Sequence, residues 1–191
     1  MLPFMGVLFP EFRRSGFFLR TGWSVIEEHV RGHYRADGGA RETVPGYQQG
    51  SMQVLWDLCL LARRNKLPTS VAFEDRLLAG TKYLLRLMTP QGGNPVFGDT
   101  GPQPGGLTQL AATAAALTGD GECKWYAEYA RRFQQCPGES AGVIPLCAFW
   151  QVGLAGAARY AATRPKNPNQ RSVLMGPTGY AAMRASDRPG S

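Results

Sequence analysis

The sequence predicts an all-α protein, and three observations carry that prediction. Apolar residues recur at three- and four-residue steps through several long segments. Clusters rich in glycine, proline and asparagine separate those segments, as connections between helices require. Near the C-terminus a single short stretch alternates with the period of two that marks a strand. The 191 residues suffice for one domain with a real core, or for part of a larger one.

Residues 11–35 read as one helix, or as a short helix followed by a long one, with Leu19, Trp23, Ile26 and Val30 forming its apolar stripe. Asp37-Gly38-Gly39 ends it, since glycine just past a helix terminates it at little cost. A second helix spans 46–65, with Tyr47, Ser51, Val54, Leu55, Leu58 and Leu61 on one face. Its Arg63-Arg64 suit the negative end of the helix dipole. A third spans 71–88 with Phe73, Leu77, Thr81, Leu84 and Met88 in phase, and Ser70 is placed to cap it. Residues 89–106 hold six glycines and four prolines, so they form a long loop or linker. Shorter helices follow near 107–118, 123–135 and 146–163, the last rich in Ala and Gly, which permits close packing. Residues 164–172 read as a linker, and Gly179–Arg184 as one strand, Tyr180, Ala182 and Arg184 facing one way and Ala181 and Met183 the other. A lone strand does not stand by itself, so this one is expected to pair with a segment absent from the chain or to be a disordered tail.

Composition narrows the partners. The net charge of +7 and the sequence pI near 9.5 favour an acidic partner: nucleic acid, anionic lipid or anionic polysaccharide. The basic residues are spread over helix faces, densest at Arg13-Arg14, Arg63-Arg64 and Arg131-Arg132. None of these alternates with aromatics, so nucleic acid is not an expected partner. No segment reaches the roughly 18 apolar residues of a membrane span. The apolar start MLPFMGVLFPEF lacks the basic region and cleavage site of a signal peptide, so a leader for export is expected upstream of Met1. The four cysteines form no C-x-x-C pair and no zinc framework. Cys59 reads as a buried thiol, and a Cys123–Cys136 disulfide is open to an exported chain. His29 and His33 share a helix face, but the glutamate of a zinc-hydrolase motif is missing and no third ligand is evident. They read as a solvated face, and neither metal nor cofactor is expected.

The stretch DGGARETVPGY, residues 37–47, brings an acid and a tyrosine to a loop that feeds a helix. Loops held by rigid helices are where functional groups concentrate. Tyr47 is the candidate catalytic residue there, and at a helix N-terminus the dipole favours its phenolate. Taken as one more aromatic in the apolar stripe, it would instead be a core residue. Asp37, Glu42, Gln48 and, in the long loop, Asp99 are candidate substrate-binding or loop-shaping residues. For Asp37 and Glu42 the expected task is to bond backbone amides or to hold an arginine.

Read in order, PEFRRSGFFLRTGWSVIEEHV, ADGGARETVPGYQQGSMQVLWDLCLLAR, FEDRLLAGTKYLLRLMTPQGGNPVFGDTG and MGPTGYAAMRAS resemble the heparinase II/III family of polysaccharide lyases, which includes heparin, heparan and alginate lyases. The resemblance covers residues 10–186 and rests on an Asp-Gly…Glu…Tyr segment entering a helix, a Pro-x-Gly…Pro…Gly-Asp loop and a Gly-Tyr…Arg strand. It implies a partial (α/α) toroid of paired helices over 1–163, the linker 164–172, and the first strand of a truncated C-terminal β-sandwich over 173–191. It implies β-elimination on a uronic-acid polysaccharide, with Tyr47 as proton donor or base, in a periplasmic or secreted protein. Family members also use an asparagine–histidine pair upstream of the tyrosine and a histidine on the sandwich. His29 and His33 match neither, and Gln48 stands where histidine often follows the tyrosine. The expectation is therefore a fragment without the full catalytic set. The alternative is a non-catalytic helical module that binds anionic glycans or a protein partner through its basic surface.

Overall fold

The computed structural model describes residues 2–101, 106–132, 142–168 and 172–184. Seven helices and one hairpin are found among them: α1 (Leu2–Leu8), α2 (Ser15–His33), α3 (Pro45–Arg64), α4 (Val71–Leu87), α5 (Gly106–Thr118), α6 (Gly121–Arg131), α7 (Leu146–Ala162), β1 (Val173–Met175) and β2 (Tyr180–Ala182). Helices pack as sequence neighbours, α1 on α2, α3 on α4, and α5 on both α6 and α7. Helix α5 also touches α3 and α4, and the α1–α2 pair joins them through α2 on α4 and α1 on α3. Helix α5 is buried on all sides, with Leu107, Leu110, Ala111, Ala114 and Ala115 at most 1% exposed. A helix apolar all round belongs in a core, and its many alanines let four neighbours approach it.

The first predicted helix, 11–35, is the single helix α2, and a further helix, α1, precedes it outside the predicted range. Residues 9–14 turn, with Phe12 N–H donating to Phe9 O and Ser15 N–H to Phe12 O, and α1 lies back on α2. The two cross through glycines: a Cβ on Gly6 would fall 2.6 Å from Leu19 N, and one on Gly22 2.6 Å from Pro3 Cδ. The stripe Leu19, Trp23, Ile26, Val30 does face inward, though only Val30 is fully buried.

The third helix carries a correction. Its buried face is broader than the predicted stripe: Leu55 and Leu58 are buried as expected, together with Gln48, Met52, Trp56 and Cys59, whereas Tyr47 and Val54 are exposed. Counting apolar residues misses that two glutamines are buried on it, each satisfied by polar partners. The fourth helix follows its prediction, with Ser70 Oγ accepting from Phe73 N–H at 3.2 Å. Within α7, Gly153 leaves helical geometry with φ 67°, so that glycine breaks the helix rather than packing it, and Arg64 Nη2 donates to Gln151 O at 2.6 Å beside the break.

Lys124 is buried, and its Nζ donates to Tyr160 O, Ala161 O and Thr163 O at 2.9, 3.3 and 2.8 Å. It therefore fastens α6 to the C-terminal carbonyls of α7, where a cation is favoured. Replacing it with Met keeps the stem and removes the ammonium from three carbonyls, of which Tyr160 O keeps Thr163 N–H as a donor. Lys124→Met should lower unfolding free energy by about 3 kcal/mol, read as a lower urea midpoint with an unchanged slope. An unchanged midpoint would show that water replaces the ammonium.

The lone strand is also corrected. Tyr180–Ala182 pairs antiparallel with Val173–Met175, Met175 opposite Tyr180. A segment of three residues was too short to read as a strand beside a linker. The predicted alternation holds, Tyr180, Ala182 and Arg184 half-buried and Ala181 and Met183 exposed. Residues 133–135 of the predicted sixth helix, Cys136 and its disulfide, and residues 169–171 and 185–191 lie outside the described residues. Cys123 is a buried thiol whose pKa burial raises well above its ordinary value. No described helix is long and apolar enough to cross a membrane.

Candidate active site

Three segments distant in sequence meet at the N-terminal end of α3: residues 35–44, the loop 94–100, and the hairpin turn 176–180. The first is a tight turn, with Gly38 N–H donating to Arg35 O and Arg35 N–H to Gly39 O. Its two glycines are required. Gly38 has φ +89° and a Cβ there would fall 2.3 Å from Ala79 O; one on Gly39 would fall 2.0 Å from Thr178 Oγ1. Backbone and hairpin approach too closely there for any side chain.

Asp37 bonds its own loop and the hairpin together. Its carboxylate accepts from Gly39 N–H at 3.1 Å, from Thr178 N–H at 2.9 Å and from Thr178 Oγ1 at 2.8 Å. Arg35 Nη1 adds a bond to Pro177 O at 2.8 Å, and Tyr180 Oη donates to Thr43 O at 2.5 Å. The hairpin is thus clasped to the loop on both sides of its turn. Thr43 takes φ 57°, Val44 is extended, and Pro45 starts α3 at a position where no N–H is needed.

Gln48 is the second fastener. Only 2% exposed, it accepts from Ala40 N–H at 2.8 Å through Oε1 and donates through Nε2 to Gly38 O at 2.9 Å and Gly80 O at 3.0 Å. One amide therefore joins the loop, α3 and α4. Gln49 beside it, also buried, accepts from Asn94 Nδ2, which draws the 94–100 loop onto α3.

This scaffold leaves Tyr47 in the open, 46% exposed. Its hydroxyl donates to Asp99 Oδ2 at 2.8 Å, across 52 residues of sequence. Asp99 follows Gly98, whose φ of +69° turns the loop against Val44. Phe97, on the other side of Gly98, lies against the Tyr180 ring, centroids 5.4 Å apart and planes at 56°. The hydrogen bond to the Asp99 carboxylate, then some desolvation, then the charges of Asp99 and Glu42 hold the Tyr47 pKa above its ordinary value. The dipole argument favouring phenolate is therefore outweighed by the carboxylate that the fold brings up. Glu42 makes no hydrogen bond or ion pair with the described residues; it is exposed and acts through its charge.

Of the candidates named from sequence, Tyr47 and Asp99 touch, Asp37 and Gln48 hold the loop that presents Tyr47, and Glu42 stands apart. Phe97, Thr178 and Tyr180 went unrecognised as site neighbours. Only Gly179-Tyr180 left a signal, as part of the strand. The His29 and His33 rings stack at 4.6 Å, each edge-on to Tyr34. The His33 pKa is lowered by burial, by His29 and by Arg41, with Glu42 opposing. Among the described residues no group of three or more histidines, cysteines or carboxylates is arranged to hold a metal ion.

The family model described as Heparinase II/III N-terminus matches residues 1–120. None of the curated protein sequences matches the chain. Among solved structures, a heparinase III with methylated lysines superposes with a TM-score of 0.55 at 20% identity over 66% of this chain. At that identity the likeness is one of fold, a mostly helical architecture. The chain spans about a fifth of that protein, 20% of its length.

Proposed function

The chain belongs to the heparinase II/III family, and from that premise we propose that it forms the tyrosine-bearing part of a polysaccharide lyase. In this reading helices α1–α7 are the later helical pairs of an (α/α) toroid and the hairpin opens a β-sandwich domain. The complete protein cleaves uronic-acid polysaccharides by β-elimination, in the periplasm or outside the cell. The observation that carries the reading is an exposed tyrosine, presented by a pinned loop at a helix start and hydrogen-bonded to a carboxylate.

In the reaction, the electron pair of the C5–H bond forms the C4–C5 double bond as the C4–O bond breaks. The C5 proton goes to a base and the leaving oxygen takes a proton from an acid. Tyr47 suits the acid. Its phenol is held protonated by Asp99, whereas a base would first have to surrender that proton beside a carboxylate. By family resemblance, the carboxylate neutraliser and the C5 base fall at positions without a counterpart among these residues.

The test is to incubate the complete protein that contains this chain with alginate and heparan sulfate and follow the ultraviolet absorbance of the unsaturated uronate. Product formation supports the lyase. Binding that weakens with salt and yields no unsaturated product supports a glycan-binding module instead. A pH profile refines the assignment. Tyr47 donates only while protonated, so activity is lost as pH rises through its raised pKa. Asp99→Asn removes both the acceptor carboxylate, the largest cause of the shift, and its charge, a smaller one. The alkaline limb of kcat/KM should then move to lower pH, towards the ordinary tyrosine value of about 10. A limb that stays in place would separate Asp99 from the proton that limits turnover.

A further inference from the structure

We propose that Phe97 is a sugar-stacking subsite beside Tyr47, taking the apolar face of a pyranose ring of an anionic polysaccharide. The proposal rests on the lyase reading for its ligand class but on separate observations for its position. Phe97 and its neighbour Val96 are 43% and 53% exposed. Scattered exposed apolar residues are ordinary on a protein surface; this one differs in being fixed from several directions. Its own carbonyl accepts from Thr100 Oγ1 at 3.3 Å, and Gly98 after it packs against Val44. The Tyr180 ring leans on it at 5.4 Å, and Tyr180 is itself tethered through its hydroxyl to Thr43 O at 2.5 Å. The ring is therefore held in place before any ligand arrives, which lowers the ordering cost of binding.

Position supplies the second argument. One residue separates Phe97 from Asp99, so their Cα atoms are at most about 7 Å apart, roughly the size of one sugar unit. Asp99 in turn holds the Tyr47 hydroxyl at 2.8 Å. Phe97 is thus carried by the same short loop that supplies the acceptor of the proposed proton donor. Aromatic faces carry negative quadrupole density, which attracts the polarised C–H groups of a pyranose face while its hydroxyls and carboxylate stay in water. The chain's net charge of +7 attracts the polyanion over longer range. A protein partner would want a broader apolar patch than one ring and one valine.

The experiment is titration with a heparan sulfate hexasaccharide and an alginate hexasaccharide at fixed salt, by calorimetry and by NMR of the Phe97 ring protons. In the wild-type protein the ring resonances should shift on adding at least one of the two. Phe97→Leu, which keeps bulk and removes the ring, should weaken that binding by about tenfold. Phe97→Trp should bind within about twofold of wild type. Unshifted ring resonances, or a Phe97→Leu variant with wild-type affinity, overturn the proposal. So do equal losses in the Leu and Trp variants with unchanged Tm, since the ring would then not be the determinant. A Phe97→Leu variant that alters oligomeric state with saccharide binding intact would assign the ring to a protein contact. The two readings fail separately: loss of binding on removing the ring, in a complete protein whose wild type forms no unsaturated product, keeps the subsite and removes the lyase.

Discussion

Tyr47→Phe is expected to lower kcat on a uronate polymer by about 10²- to 10⁴-fold, the usual contribution of a positioned acid or base. Binding of the same polymer should change by less than about twofold. The change removes one oxygen and nothing else. The ring stands at the start of α3, about half exposed, and no buried group depends on it. Asp99 loses its donor but is itself exposed, so water replaces the phenol. Stability should therefore stay within about 0.5 kcal/mol of wild type, as for surface positions generally. Because fold and affinity are spared, a fall in turnover reports on proton transfer alone. The measurement is kcat by unsaturated-product absorbance alongside Kd by calorimetry on the complete protein. Turnover within about tenfold of wild type would take Tyr47 out of the chemistry and leave it as a surface residue held by Asp99.

Gln48→Leu is the change expected to damage the fold most. Leucine fits the space, but three backbone groups lose the side-chain amide as a partner: Ala40 N–H, Gly38 O and Gly80 O. Burial denies them water, and each orphaned group costs about 1–3 kcal/mol. Part of this is recovered where the Gly80 carbonyl keeps its partner within α4, so a loss of about 3–5 kcal/mol is expected, against a total stability of about 5–15 kcal/mol for a domain. Gln48→Glu tests the directionality. Its carboxylate still accepts from Ala40 but faces the Gly38 and Gly80 carbonyls with oxygen, so it should also destabilise, more so as pH rises and the group ionises. Denaturant unfolding of both variants gives the result. A Leu variant within about 1 kcal/mol of wild type would mean that the loop re-forms its bonds without the amide. Loss of Gln48 should also cost activity, because the residue before it is Tyr47 and the loop it pins sets where α3 begins.

Residue by residue, legibility divides along one line. Ser70 was readable as a cap, and the stripe from Phe73 to Met88 as one face of a helix, because both depend on neighbours three or four residues away. The turn at Asp37-Gly38-Gly39 was readable for the same reason. The stripe of α3 holds at Leu55 and Leu58 but fails at Tyr47, because Gln48 and Gln49, polar by composition, are buried on partners that sequence spacing does not reveal. Helix α1 was missed because its seven residues include Pro3 and Gly6, poor helix formers held by packing on α2. Strand β1 was missed because three residues carry too little pattern.

For the candidate site the division is sharper. Sequence alone determined an all-α chain with a basic surface, a tyrosine at the head of a helix and a carboxylate in a glycine-rich loop. Tertiary structure alone decided that these two meet, 52 residues apart, at 2.8 Å. It also decided that the hairpin 141 residues beyond Asp37 clasps the loop that presents the tyrosine. The physical reason is range. Helix periodicity and capping are set by bonds between near neighbours, whereas the protonation of Tyr47 is set by a charge that only the folded chain brings within hydrogen-bonding distance.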